Sequence, residues 1–245
     1  MATPSRLERP AFYALRPGGW RDGLTLLHPP YTAWHLSYVA IGAAVAPHMY
    51  GYRLVWTLVA FLLAVGIGAH ALDELHGRPL GTGMSDRVLI GLSALSLTGA
   101  VAIGVVGAVT ISLWLLMFVA VGVLIVLAYN LELAGGRMHS DLWFAIGWGA
   151  FPALTAFWVQ AGKLHAEALL VAAACLMLSA AQRRLSTPVR ELRRRTVSVS
   201  GEQRLTSGRT VELDGARIAA PMEGALMACA TGMVLLAAGL VAARL

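Results

Sequence analysis

The chain has 245 residues, of which 58% are hydrophobic and only 13% are charged, and its mean hydropathy is +0.68. Soluble domains carry roughly twice that charged fraction, so the composition excludes an ordinary soluble domain and indicates one integral membrane domain over residues 1–245, with the lipid bilayer as its partner. The net charge of +6 comes from arginines that flank apolar stretches, and without a basic soluble domain we expect no nucleic-acid partner.

About seven apolar stretches approach the roughly 17–25 residues that a helix needs to cross a hydrocarbon core. Glycine and alanine recur inside them, which is typical of helices in close contact within a bilayer. The pattern predicts an all-α bundle of transmembrane helices near Ala33–Tyr50, Leu54–Leu75, Val88–Val109, Ile111–Leu131, Leu142–Gly162, Ala166–Ala181 and Ala219–Ala243.

The distribution of Lys and Arg predicts the orientation of these helices. With the N-terminus inside, all basic residues except Arg53, Lys163 and Arg244 fall on the cytoplasmic side. We therefore expect the N-terminus inside and the C-terminus outside, in the cytoplasmic membrane of a prokaryote. Residues 1–27 then form a cytoplasmic or interfacial segment, and residues 183–218 form a cytoplasmic loop.

That last loop also contains a pattern typical of strands. Val197 and Val199 alternate with polar residues, as do Val211 and Leu213, and Ser207–Gly208 marks a turn between them. We expect a small β-hairpin on the cytoplasmic face.

Ionisable side chains collect at the predicted cytoplasmic ends of the helices. In the run from Gly66 to Thr82, His70, Asp73 and Glu74 share one face if the helix continues. Such residues within a bundle predict a functional site, although an interfacial cap is the simpler interpretation of any one of them. Paired acids suit Mg²⁺, which neutralises a diphosphate, whereas added imidazoles suit Fe, Zn or Mn.

Four runs with characteristic motifs follow in order: YTAWHLSYVAIGAAVAP, GIGAHALDELHGRPLGT, LAYNLEL and SDLWFAIGWGAFPALTAFWVQAG. Together they resemble the UbiA superfamily of intramembrane prenyltransferases, most closely its dihydroxynaphthoate-prenylating branch. The resemblance spans roughly residues 28–182. It implies a helical bundle, usually of nine helices, whose central cavity holds Mg²⁺ and a prenyl diphosphate that ionises to an allylic cation.

The resemblance and the clustering together give a candidate site for an isoprenoid or similar long apolar substrate. The expected catalytic residues are Asp73, Glu74 and His70. The expected metal ligands are Asp73, Glu74, His70, His76, His139 and Asp141. The expected substrate-binding residues are His35, Tyr31, Arg78, Tyr129, Asn130, Arg183 and Arg184.

The chain departs from the family pattern in its acids. Only Asp73 matches the family's first motif, N-D-x-x-D-x-x-x-D, directly, and Glu191 is the only acid where the second motif belongs. Arginines contacting phosphate directly are one alternative, and these are Arg183, Arg184, Arg190 and Arg193–Arg195. Two other functions stay open: a membrane metalloenzyme with a His/carboxylate site for Fe, Zn or Mn, and a non-catalytic descendant that binds a lipid or assembles with a membrane-protein partner.

Overall fold

The computed structural model describes residues 9–245, so residues 1–8 of the predicted N-terminal segment lie outside the described part. The chain is mostly helical, with one small sheet of two strands. The helices are α1 (Trp20–Leu26), α2 (Pro29–Ala44), α3 (Gly51–Leu75), α4 (Asp86–Thr110), α5 (Leu115–Asn130), α6 (Asp141–Ala161), α7 (Ala166–Arg194) and α8 (Gly215–Ala242). The strands are β1 (Gly201–Arg204) and β2 (Thr210–Leu213).

Five helices are long and apolar enough to cross a membrane, namely α3, α4, α6, α7 and α8. The helices α2 and α5 have 16 residues each. At a rise of about 1.5 Å per residue such a helix is about 24 Å long, shorter than a typical hydrocarbon core. Large apolar side chains on the outside of the bundle, such as Leu95 and Val109 on α4, are mostly exposed. The prediction of an integral membrane bundle is confirmed at this level, with five full-length spans.

We call one end of the bundle the basic end, where α3, α5 and α7 finish and α2, α4, α6 and α8 begin. Three of these helix starts carry side-chain caps, since Ser85, Ser140 and Asp214 each accept a hydrogen bond from a backbone N–H of the first turn. At the opposite end, Arg53 donates to the carbonyl of Val159 at 3.0 Å. Arg53 therefore joins the start of α3 to the end of α6 at this opposite end.

The central helix α2 packs against α6 and α8 and carries the core. Gly42 marks its closest approach to α6, since a Cβ there would lie 2.2 Å from the carbonyl oxygen of Ala153. Trp34 and Tyr38 are fully buried, and the Trp34 indole N–H donates to the Tyr38 hydroxyl at 2.5 Å. This packing fixes the rotation of α2 about its own axis.

Both α3 and α6 contain a π-helical segment, at Leu62–Ala69 and at Ala145–Ala150. Such wide turns are rare and occur often at functional sites. The first ends one residue before His70, so it determines where His70 and Asp73 point. The second contains Trp148, which is buried.

The hairpin prediction is confirmed for its position and turn but not for its first strand. Strands β1 and β2 pair antiparallel, with Gln203 opposite Val211, and Gly208 has the positive φ of a turn glycine. The first strand begins at Gly201 rather than at Val197, because Val197 is fully exposed and has nothing to pack against.

The second difference is the length of α7. Sequence patterning ended the transmembrane helix at Ala181, but α7 continues to Arg194. The added turns are polar yet contain helix-forming Arg, Leu and Glu, and their inner face covers a cavity instead of reaching solvent. The connection to α8 therefore begins only at Arg195.

Candidate functional site

A polar cavity of about 630 Å³ lies at the basic end, between α2, α3, α5, α6 and α7. Residues 10–13 of the N-terminal segment form a further wall. The cavity brings together all of the predicted site residues except Glu74, Arg78 and Arg184. Segments far apart in sequence thus converge on one space.

The adjacent acids Asp73 and Glu74 have different surroundings. Asp73 lines the cavity, and its carboxylate makes no hydrogen bond to any described residue. Glu74 is fully buried and accepts hydrogen bonds from the backbone N–H groups of Leu80 and Thr82, at 2.9 and 2.8 Å. It also accepts from the Thr82 hydroxyl at 3.0 Å. The structure therefore makes Glu74 the anchor of the loop after α3.

Arg78 and Arg184 also lie outside the cavity. Arg78 forms an ion pair with Asp86 and donates to the carbonyl of Met84, so it braces the same loop as Glu74. Arg184 is exposed on another face of α7. Arg184 therefore behaves as the positive-inside pattern predicts for a surface arginine.

Three imidazoles in the cavity are oriented in the same way. The Nδ1 atoms of His28, His70 and His139 lie 2.8, 3.1 and 3.0 Å from the carbonyl oxygens of Leu26, Gly66 and Tyr129. A carbonyl oxygen only accepts, so each Nδ1 carries the proton and each Nε2 is left as an acceptor. A free Nε2 backed in this way is suited to a ligand or a metal. Among residues 9–245, however, no group of three or more His, Cys, Asp or Glu side chains has the spacing of a metal site.

His28 was not among the predicted site residues. Its backbone has a positive φ of 46°, and its ring lies 4.0 Å from the His70 ring, measured between centroids. Burial, and then the neighbouring His70, lower the pKa of His28 well below its usual value. The left-handed backbone of a non-glycine residue next to Pro29 marks His28 as unusual, but only the fold brings His28 close to His70.

His35 lies deeper in the cavity wall and is 4% exposed. Its Nε2 pairs with the side-chain oxygen of Gln182 on α7 at 3.0 Å. Its Nδ1 has no hydrogen-bond partner among the described residues. Gln182, which the sequence did not single out, therefore orients the imidazole across the bundle.

One wall of the cavity is aromatic. Tyr129 stacks on His139 with ring centroids 4.3 Å apart and lies 4.6 Å from the Trp148 ring. Phe144 stacks nearly parallel to Trp148 at 5.5 Å. Electron-rich ring faces are a suitable environment for a cation.

The inner face of α7 forms another wall of the cavity, which carries Arg183, Arg190 and Arg194. Arg183 donates to the carboxylate of Asp141 at 2.8 Å. Arg194 donates to the carbonyl of Pro10 at 3.1 Å and so holds the N-terminal segment over the cavity. This wall is positively charged beside an otherwise apolar bundle.

A second cavity, of about 410 Å³ and almost entirely apolar, lies between α3, α4, α5 and α6. Its lining includes Val65, Ala100 and Phe151. Trp148 borders both this cavity and the polar one. One indole ring therefore lines both a charged space and a hydrocarbon-like space.

No protein-family model, no curated protein and no solved structure matches the chain. The two cavities and the side chains that line them are therefore the features that bear on function.

Proposed function

We propose that the chain is a UbiA-like membrane enzyme that transfers the prenyl group of a long-chain prenyl diphosphate to an acceptor. The observation that supports this proposal is that the polar and apolar cavities both border on Trp148. An amphiphile lying across that border has its anionic head among arginines and its chain among apolar side chains. The positive-inside rule places this head on the cytoplasmic side.

The polar cavity contains the groups that such a transfer needs. The allylic carbon–oxygen bond breaks, and its electron pair leaves with the diphosphate beside the arginines of α7. The aromatic wall of Tyr129, Phe144 and Trp148 stabilises the resulting cation. The acceptor forms a new bond to the allylic carbon, and the proton it loses passes to the free carboxylate of Asp73.

The carboxylates present do not fit the Mg²⁺–diphosphate centre that the resemblance implies. Glu74 is occupied by the loop and Asp141 pairs with Arg183. Glu132 and Glu191 line the cavity, but both are exposed. Asp73 remains as the shielded free carboxylate, whereas the family motif supplies several. No step of the proposed reaction therefore requires a metal.

A second candidate, a transition-metal enzyme, is favoured by the oriented imidazoles of His28, His70 and His139. It predicts stoichiometric Fe, Zn or Mn in protein purified without chelators and loss of that metal in His70→Ala. Metal-free protein that still turns over prenyl diphosphate rejects this candidate.

The test of prenyl transfer is turnover by purified protein in lipid nanodiscs, with long-chain prenyl diphosphates and a panel of aromatic, quinone-like and lipid acceptors. We expect release of pyrophosphate with formation of a prenylated product. Asp73→Asn should reduce the rate at least a hundredfold, an order of magnitude typical of a lost general base. Its folding should be unchanged, because the carboxylate has no hydrogen-bond partner among residues 9–245 to lose.

The outcomes separate the remaining functions. Tight binding of prenyl diphosphate without turnover for any acceptor would identify a non-catalytic lipid-binding descendant. If the protein shows neither binding nor turnover of any prenyl diphosphate, the isoprenoid substrate is rejected altogether.

A further inference from the structure

The inner face of α7 presents three arginines in one stripe. Arg183, Arg190 and Arg194 stand at i, i+7 and i+11, which a helical period of about 3.6 residues places within about 20° of a common direction. Ser186 and Thr187 fill the turn between the first two, and all five residues line the polar cavity. The stripe is continuous only because α7 runs on to Arg194.

Most of the donors on this stripe have no partner among residues 9–245. A guanidinium has five N–H donors. Arg183 uses Nε for Asp141, Arg194 uses Nε for Pro10, and Arg190 uses one terminal nitrogen for Thr187 at 3.0 Å. Among the described residues, Asp141 is the one carboxylate that forms an ion pair with any of the three. The stripe therefore holds donors that no described residue uses.

The neighbouring arginines show that this arrangement is not simply the positive-inside pattern. Arg193 turns away from the cavity and pairs with the buried Glu223 at 2.5 Å. Arg184 is exposed on the surface of α7. Among residues 9–245, Arg190 and Arg194 line the cavity, are partly shielded and form no ion pair, and a shielded cation is unfavourable unless an anion occupies the space.

The surroundings indicate what kind of anion fits. Tyr31, with its ring hydroxyl, lines the same cavity as Arg190 and Arg194. Several guanidinium forks and a phenol suit an anion with several oxygens, and arginine binds phosphate oxygens in a bidentate manner. A carboxylate has too few oxygens to satisfy donors spread over three helical turns.

We propose that this cavity binds a diphosphate head directly through Arg183, Arg190 and Arg194, without a divalent metal. The inference rests on the proposed function for the identity of the substrate, but it concerns only how the head is held. In this proposal arginines bind the diphosphate, where the family resemblance implies carboxylates that act through a metal. This agrees with the shortage of available carboxylates around Asp73.

The experiment is titration of the protein in neutral-lipid nanodiscs with inorganic pyrophosphate and with a long-chain prenyl diphosphate, each in excess EDTA and in Mg²⁺. We expect equal affinity in both conditions. Arg190→Gln should lower the affinity for both ligands about tenfold to a hundredfold, which is the loss expected for charge-assisted hydrogen bonds. Arg190→Lys should recover part of the loss, because it restores the charge but not the fork.

The matched control is Arg184→Gln, which removes the same charge from the same helix outside the cavity and should leave both affinities unchanged. Equal effects of Arg184→Gln and Arg190→Gln would overturn the inference, as would binding that disappears in EDTA. So would equally strong competition by phosphatidic acid, since the site would then recognise an ordinary lipid phosphate. Thermal unfolding of each variant verifies that the protein is folded.

The two proposals fail in different ways. Turnover of prenyl diphosphate that EDTA abolishes leaves prenyl transfer standing and rejects the arginine site. Arg190-dependent binding of pyrophosphate, with no binding of any prenyl diphosphate, supports the arginine site and rejects the isoprenoid substrate.

Discussion

At the scale of single residues, neighbouring side chains with the same chemistry have opposite tasks. Asp73 and Glu74 are both acids on the last turn of α3, but consecutive positions on a helix point about 100° apart. Asp73 therefore reaches the cavity, and Glu74 reaches the loop that contains Leu80 and Thr82. Arg190 and Arg184 on α7 differ in the same way, one turned inward and the other exposed.

This division predicts that Glu74→Gln destabilises the fold. The amide supplies one acceptor oxygen in place of two and turns an NH₂ group toward a backbone N–H. Losing a buried hydrogen bond in this way costs about 1–3 kcal/mol. Unfolding in detergent, followed by intrinsic fluorescence, measures the change.

Asp73→Asn is the matched control for Glu74→Gln, since it makes the same chemical change at a carboxylate without a hydrogen-bond partner. It should leave the free energy of unfolding unchanged. A similar loss of stability in both variants would show that Asp73 also has a structural role.

At the scale of elements, the sequence predicted more of the helices than of the site geometry. Long apolar runs located the spans well, because crossing a bilayer requires length and hydrophobicity that are visible in any window. The end of α7 was missed, since Gln182–Arg194 is polar and its burial depends on helices elsewhere in the chain. For the same reason the i, i+7, i+11 relation of Arg183, Arg190 and Arg194 could not be read as a helical stripe.

The sequence also predicted only part of the side chains in the candidate site. Collecting the ionisable residues at one end of the bundle was sufficient to find most of the ionisable side chains that line the cavity. The roles of Glu74 and Arg78 could not be found, because they depend on the path of the loop between α3 and α4. His28 and Gln182 were missed because their importance comes from contacts with His70 and His35 on other helices. The identity of the metal ligands stays a prediction.

The helices around the apolar cavity predict how the substrate chain is accommodated. Ala100 on α4 lines that cavity, whereas Ala94 on the same helix is exposed and lines neither cavity. Ala100→Trp should lower the affinity for long-chain prenyl diphosphates at least tenfold, because the indole fills space that only a long chain uses. The affinity for short-chain prenyl diphosphates should be nearly unchanged.

Ala94→Trp is the control and should affect neither chain length. Affinities measured across a series of chain lengths check the prediction. Uniform weakening by Ala100→Trp at every length would mean that the apolar cavity does not hold the chain.

At the scale of the whole molecule, the bundle combines two environments that a membrane normally keeps apart. The basic end places arginines, imidazoles and a free carboxylate around about 630 Å³, and the apolar cavity provides about 410 Å³ within the spans. The N-terminal segment, held by Arg193 and Arg194 through the carbonyls of Arg9 and Pro10, covers the charged space. The arrangement suits a substrate that is charged at one end and apolar along its length.

The central claim is that one amphiphile occupies both cavities. The most direct measurement is an experimental structure of the nanodisc-embedded protein with a non-ionising thiolodiphosphate analogue of a long-chain prenyl diphosphate. We predict density for the diphosphate between Arg190 and Arg194 and for the chain passing Trp148 toward Ala100. Density for the analogue on the outer surface of the bundle, with both cavities filled by solvent or bulk lipid, would contradict the account.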